Sequence, residues 1–116
     1  MTEPSVSITT LDELAGSTDR DFVRELIDTY LDDSPRLLAE MRQGLAENQP
    51  GTVQRAAHSL KSNSASLGAH GLSAHAKELE LAAKANDLSK APAKIDQLAA
   101  LYAQVESDLK TWKSEA

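Results

Sequence analysis

The chain has 116 residues, a formal net charge of −6 (12 Lys and Arg against 18 Asp and Glu) and no cysteine. Its acidity disfavours a phosphate backbone as partner, and Phe22, Tyr30, Tyr102 and Trp112 are too few aromatics for a base-stacking platform. The missing thiols exclude a disulfide framework, a thiolate metal site and a cysteine nucleophile. Hydrophobic residues make up 41% and charged residues 26%, enough for one core, so residues 1–116 are read as a single domain with 1–9 and the last few residues loose. No apolar run is long enough to span a membrane and Met1–Ser7 lacks the pattern of a signal peptide, so the expected location is cytoplasmic. Met1 followed by polar residues favours a free-standing protein.

Helix formers dominate, and neither a β-rich run nor a hairpin signal occurs. Thr10-Leu11-Asp12-Glu13 fits a capping box and opens a short helix that stops near Gly16. A second helix starts at Ser17 or Thr18, with Asp19 and Asp21 in its first turn, where the helix dipole favours acids. Phe22, Val23, Leu26, Ile27, Tyr30 and Leu31, then Leu37, Leu38, Met41 and Leu45, form its apolar stripe, and Pro35 is read as a kink, with two helices meeting at Ser34-Pro35 as the other reading. Asn48-Gln49-Pro50-Gly51 breaks the chain. Three further stripes follow: Val53, Ala57, Leu60, Ser64, Leu67; Leu72, Ala76, Leu79, Ala83; and Ile95, Leu98, Tyr102, Val105, Leu109, Trp112. Gly68–Gly71 and Asn86–Pro92 separate them. Alternating steps of three and four are the pattern of antiparallel helices joined by short loops. The expected fold is all-α: an up-and-down four-helix bundle with a short additional N-terminal helix, monomeric because the four stripes can cover one another.

On the helix around residues 51–67, advancing about 100° per residue from Val53 puts the buried stripe within about 40° of zero. By the same arithmetic Lys61 falls at roughly 80°, Ala65 at roughly 120°, His58 at roughly 140° and Ser62 near 180°. His58 therefore points to solvent, with Lys61 at i+3 within reach. Between Ser59 and Leu67 the only charge is Lys61, and Ser62, Asn63, Ser64, Ala65 and Ser66 are all small. A smooth patch around an exposed imidazole suits docking by another protein. Ordinary imidazole titrates near about 6.5, so at pH 7 it is largely neutral and keeps a nucleophilic lone pair. A phosphoryl group placed on it brings about two negative charges, which an ammonium at i+3 partly neutralises. The plainer reading is a surface histidine with no role. His70, in the Gly68–Gly71 turn, reads as solvated, and His75 as packing at the bundle edge about 60° off its stripe. No metal cluster, Gly-rich phosphate loop or serine triad is present in the sequence.

The segment Ala56-Ala57-His58-Ser59-Leu60-Lys61-Ser62-Asn63-Ser64-Ala65-Ser66-Leu67-Gly68-Ala69 resembles the signature of histidine-containing phosphotransfer (HPt) domains of bacterial multistep phosphorelays, roughly A-H-x-L-K-G-x-(small)-x-x-L-G. His58, Leu60, Lys61, Leu67 and Gly68 match it, and the Phe22–Leu26 and Lys77–Glu80 stretches extend the resemblance over nearly the whole chain. The resemblance implies that His58 is the phosphoacceptor through Nε2, with Lys61 as charge partner and Ser59, Ser62, Ala65 and Gly68 on the docking face. It implies partners that are receiver domains of response regulators or hybrid sensor kinases; charge and hydropathy leave neither nucleic acid nor membrane as an expected partner. It implies a phosphoryl carrier rather than an enzyme, with no cofactor of its own and Mg²⁺ in the partner receiver. Ser62 stands where the family usually has Gly, which alters transfer rate or partner choice. Glu80 occupies a position where a Gln assists phosphohistidine in some relatives; because an anion there repels phosphate, Glu80 is not given that role. The alternatives are a helical adaptor, a degenerate receiver-docking module and the histidine domain of a chemotaxis-type kinase.

Overall fold

The computed structural model describes residues 5–17 and 19–115, and among these the regular structure is entirely helical: α1 (Ile8–Ser17), α2 (Arg20–Ala46), α3 (Pro50–Ser66), α4 (His70–Lys84) and α5 (Ala91–Ser114). Neighbouring contacts close a ring, α2 on α3, α3 on α4, α4 on α5 and α5 on α2, while α1 packs on α2. The last three apolar stripes are buried as their spacing predicts. In α2 the buried seam is Val23, Ile27, Tyr30, Ser34, Leu38 and Met41. Phe22 and Leu26, one residue earlier and hence about 100° away, are exposed rather than in the core.

Helix starts differ from the sequence reading in two places. Ser7, not Thr10, caps α1: its Oγ accepts from the Thr10 N–H at 3.1 Å, and its carbonyl accepts from Leu11. Asp19 is the cap of α2 rather than part of its first turn, accepting from the Phe22 N–H at 2.7 Å; Thr18, the other expected start, lies outside the described residues. Residues 5–9 are not loose. Val6 is buried in the core, Ser5 donates to Asp108 on α5, and the Ser7 N–H bonds the Gly68 carbonyl at 2.9 Å. Burial of Val6 and Leu11 supplies the apolar anchor that composition alone does not reveal.

Three helix ends share one chemistry. After α2, α3 and α4 the chain turns through a residue of positive φ, Asn48 (53°), Gly68 (82°) and Asn86 (62°). At each, that residue's N–H reaches back to the carbonyl three earlier, and the next N–H to the carbonyl five before it: Asn48 to Leu45 and Gln49 to Gly44, Gly68 to Ala65 and Ala69 to Ser64, Asn86 to Ala83 and Asp87 to Ala82. These are Schellman ends, in which Asn and Gly tolerate the left-handed conformation. Position 68 disfavours any side chain, because its φ is +82° and a Cβ there would sit 3.0 Å from the Thr10 Cβ and 3.1 Å from the Ser7 Cβ.

Pro35 lies inside a single continuous α2. Having no N–H, it cannot bond the Leu31 carbonyl one turn back. The Tyr102 hydroxyl of α5 donates to that carbonyl at 3.3 Å. Tyr30 likewise explains a serine in the buried stripe of α3, its hydroxyl lying 2.8 Å from the Ser64 Oγ. The α2–α5 seam thus takes its register partly from the acceptor that proline frees. Tyr102→Phe should lower stability by about 1 kcal/mol in urea unfolding. The loss should shrink in a Pro35→Ala background, where the helix supplies its own donor; equal losses in both backgrounds contradict this account.

Candidate functional site

His58 lies in the middle of α3, off the buried stripe, with its side chain 59% exposed. The turn at Gly68 folds α4 back along α3 and brings Glu80, 22 residues further on, against it. The Ser73 hydroxyl of α4 donates to the Lys61 carbonyl at 2.9 Å, a second tie between the two helices. The Glu80 carboxylate spans two partners: Oε2 lies 2.6 Å from the His58 Nδ1 and Oε1 lies 2.7 Å from the Lys61 Nζ. Its side chain is only 14% exposed and Lys61's only 26%, so the pair is largely withdrawn from water while the imidazole is not.

The hydrogen bond from Lys61 holds the Glu80 carboxyl below the usual carboxylate range against the opposing effect of partial burial, and the His58 bond adds to it. A lowered carboxylate supports the folded state above the ordinary carboxylate range, and that support is lost as pH falls through the lowered value. At neutral pH Glu80 is therefore ionised and can only accept. The proton between Glu80 and a neutral His58 thus belongs on Nδ1, and the lone pair on Nε2. This is the tautomer required of an Nε2 nucleophile. From the sequence alone Glu80 has no such role, because an anion repels phosphate. Lys61 removes that objection, since the carboxylate–ammonium pair is neutral as a unit. The spacing of 22 residues between His58 and Glu80 carries no periodic signal; the α3–α4 turn and the packing of the two helices set their juxtaposition.

Of the other residues singled out, Ser62 and Ala65 are exposed beside His58 and Ser59 is half-buried. Gly68 does not belong to this surface: it is buried under Ser7 and Thr10, so its place on the docking face is corrected. His70 is exposed at the start of α4, and His75 is half-buried with its Nδ1 3.3 Å from Lys94 Nζ of α5. Neither joins His58. Among the described residues no three His, Asp or Glu side chains gather as a metal site, and no helix is long and apolar enough to cross a membrane. A groove of about 430 Å³ opens beside the imidazole, walled by Gln54, Arg55, Ser59 and Glu80.

Residues 25–108 match the model of the Hpt domain family. The crystal structure of histidine-containing phosphotransfer protein B (HptB) from Pseudomonas aeruginosa PAO1 superposes with a TM-score of 0.92 at 29% identity, covering 99% of both chains. No curated protein matches the chain in sequence. With the family match spanning most of the chain and the helical bundle shared with HptB almost end to end, the chain belongs to the Hpt domain family, the histidine phosphotransfer proteins of phosphorelays.

Proposed function

We propose that the protein accepts a phosphoryl group on His58 from the aspartyl phosphate of a receiver domain and passes it to a second receiver. The observation that carries the reading is the exposed imidazole whose Nδ1 is held by Glu80. The incoming receiver docks over Ser59, Ser62 and Ala65, where small side chains let its acidic pocket approach. In the forward step the Nε2 lone pair attacks phosphorus in line, the N–P bond forms, the P–O bond to the aspartate breaks, and the carboxylate leaves with its electron pair. The phosphorylated ring becomes cationic while retaining its Nδ1 proton, and Glu80 stabilises that charge. Lys61 offsets Glu80 so that the phosphoryl oxygens meet a neutral neighbour rather than an anion. Transfer of this kind is mainly positioning and charge stabilisation; Mg²⁺ is supplied by the receiver, and the chain acts as a carrier. The scaffold is an antiparallel four-helix bundle of α2–α5 with α1 as an additional helix, acting as a monomer in the cytoplasm.

Ser62 in place of the family's usual glycine puts a hydroxyl one turn from the imidazole. That group tunes the rate or the choice of receiver without closing the approach, since it is itself exposed.

Transfer of radiolabel from a phosphorylated receiver tests the reading. The wild type should gain an acid-labile label, and His58→Gln should gain none. Label retained by His58→Gln moves the site to another histidine, and an unlabelled wild type favours an adaptor. Glu80 is a positioning residue in this scheme. Glu80→Ala should slow acceptance by about 10-fold, equivalent to about 1.4 kcal/mol of barrier. Glu80→Gln, which keeps an acceptor for the Nδ1 proton, should recover part of the rate. Equal rates for the two variants would show that the bond to the ring does not matter.

A further inference from the structure

Charge around the imidazole is unevenly matched. Lys61 is committed to Glu80 at 2.7 Å, and the two cancel. Arg55, at i−3 from His58 and exposed, has no ion pair among the described residues, and its guanidinium lies near Gly51. Side chains of a helix lean toward its N-terminus, so an imidazole at position 58 inclines toward the turn of residues 54 and 55. The groove beside His58 agrees: Gln54 and Arg55 line it, and Lys61 does not.

We infer that the phosphoryl group is received in this groove, on the N-terminal side of His58, and that Arg55 is the side chain that binds its oxygens, with the Gln54 amide as a second donor. The inference rests on His58 being the phosphoacceptor. A guanidinium presents paired N–H groups that match two phosphoryl oxygens, a geometry an ammonium lacks. Residues three apart on a helix are neighbours, and Arg55 gives up no ion pair among the described residues in turning from Gly51 toward the imidazole. Lys61 then serves chiefly to neutralise Glu80, and Arg55 supplies the positive charge that the dianion needs.

The test uses the full-length protein and potassium phosphoramidate, a small donor that needs no docking surface. His58 Nε2 attacks its phosphorus, the N–P bond to the ring forms and ammonia leaves. Phosphohistidine formation is followed by mass shift and acid lability in wild type, Arg55→Ala, Arg55→Lys and His58→Gln, and each variant is then tested with a phosphorylated receiver. Arg55→Ala should react about 10-fold more slowly with both donors, Arg55→Lys should recover part of the loss, and the thermal unfolding midpoint should stay in place. An Arg55→Ala rate within twofold of wild type with phosphoramidate overturns the inference. So does slowing with the receiver alone, which would make Arg55 a protein contact. Failure of the wild type itself to form phosphohistidine, or label surviving in His58→Gln, is instead the failure of the parent reading.

Discussion

The site depends on one carboxylate held between two cationic or proton-bearing partners. Without Lys61, an ionised Glu80 would stand beside the imidazole as an unpaired anion. Without Glu80, the ring of His58 would have nothing to fix either its rotation or its tautomer. Together, with Oε1 on Lys61 and Oε2 on the Nδ1 of His58, they form a neutral support for an imidazole whose side chain is 59% exposed. The pair is mostly sheltered from solvent, where a charge-assisted hydrogen bond weakens less than at a fully wetted surface.

The fold sets the position of that support. Lys61 and His58 share α3, but Glu80 arrives from α4, and the two helices are set by the turn at Gly68. That turn is itself clamped from outside, because the N-terminal segment covers it and Ser7 bonds the Gly68 carbonyl. The segment that covers the α3–α4 corner is anchored in turn by the buried Val6 and Leu11. On the opposite side α2 and α5 meet through Tyr102 and the carbonyl that Pro35 leaves free, and α2 meets α3 through Tyr30 and Ser64. Polar contacts at these seams specify register, while the apolar stripes supply most of the burial.

What could be read from the sequence follows from which features repeat. Stripes on α3, α4 and α5 were legible because alternating steps of three and four leave one solution for the buried face. The outward direction of His58 came from the same arithmetic, and the motif around it pointed to the family. In α2 two adjacent residues competed for the core at each turn, and periodicity did not choose Val23 over Phe22; the neighbours of α2 decide that. Ser7 and Asp19 were missed as caps because Thr10 and Ser17 offered equally good local chemistry, and only the path of the chain distinguishes them. Glu80 was the costly miss. A carboxylate near a phosphate site reads as repulsive until its own counterion is known, and that counterion lies 19 residues away on another helix. Gly68 was legible as a helix terminator but not as a buried one, since nothing local announces that α1 will lie across it.

Nitrogen-15 NMR of the imidazole of His58 reaches the central claim most directly. In the neutral ring, Nδ1 should carry the proton and Nε2 should show the shift of an unprotonated nitrogen, and this preference should weaken in Glu80→Ala. A ring protonated on Nε2, or one whose tautomers are indifferent to Glu80, would contradict the account.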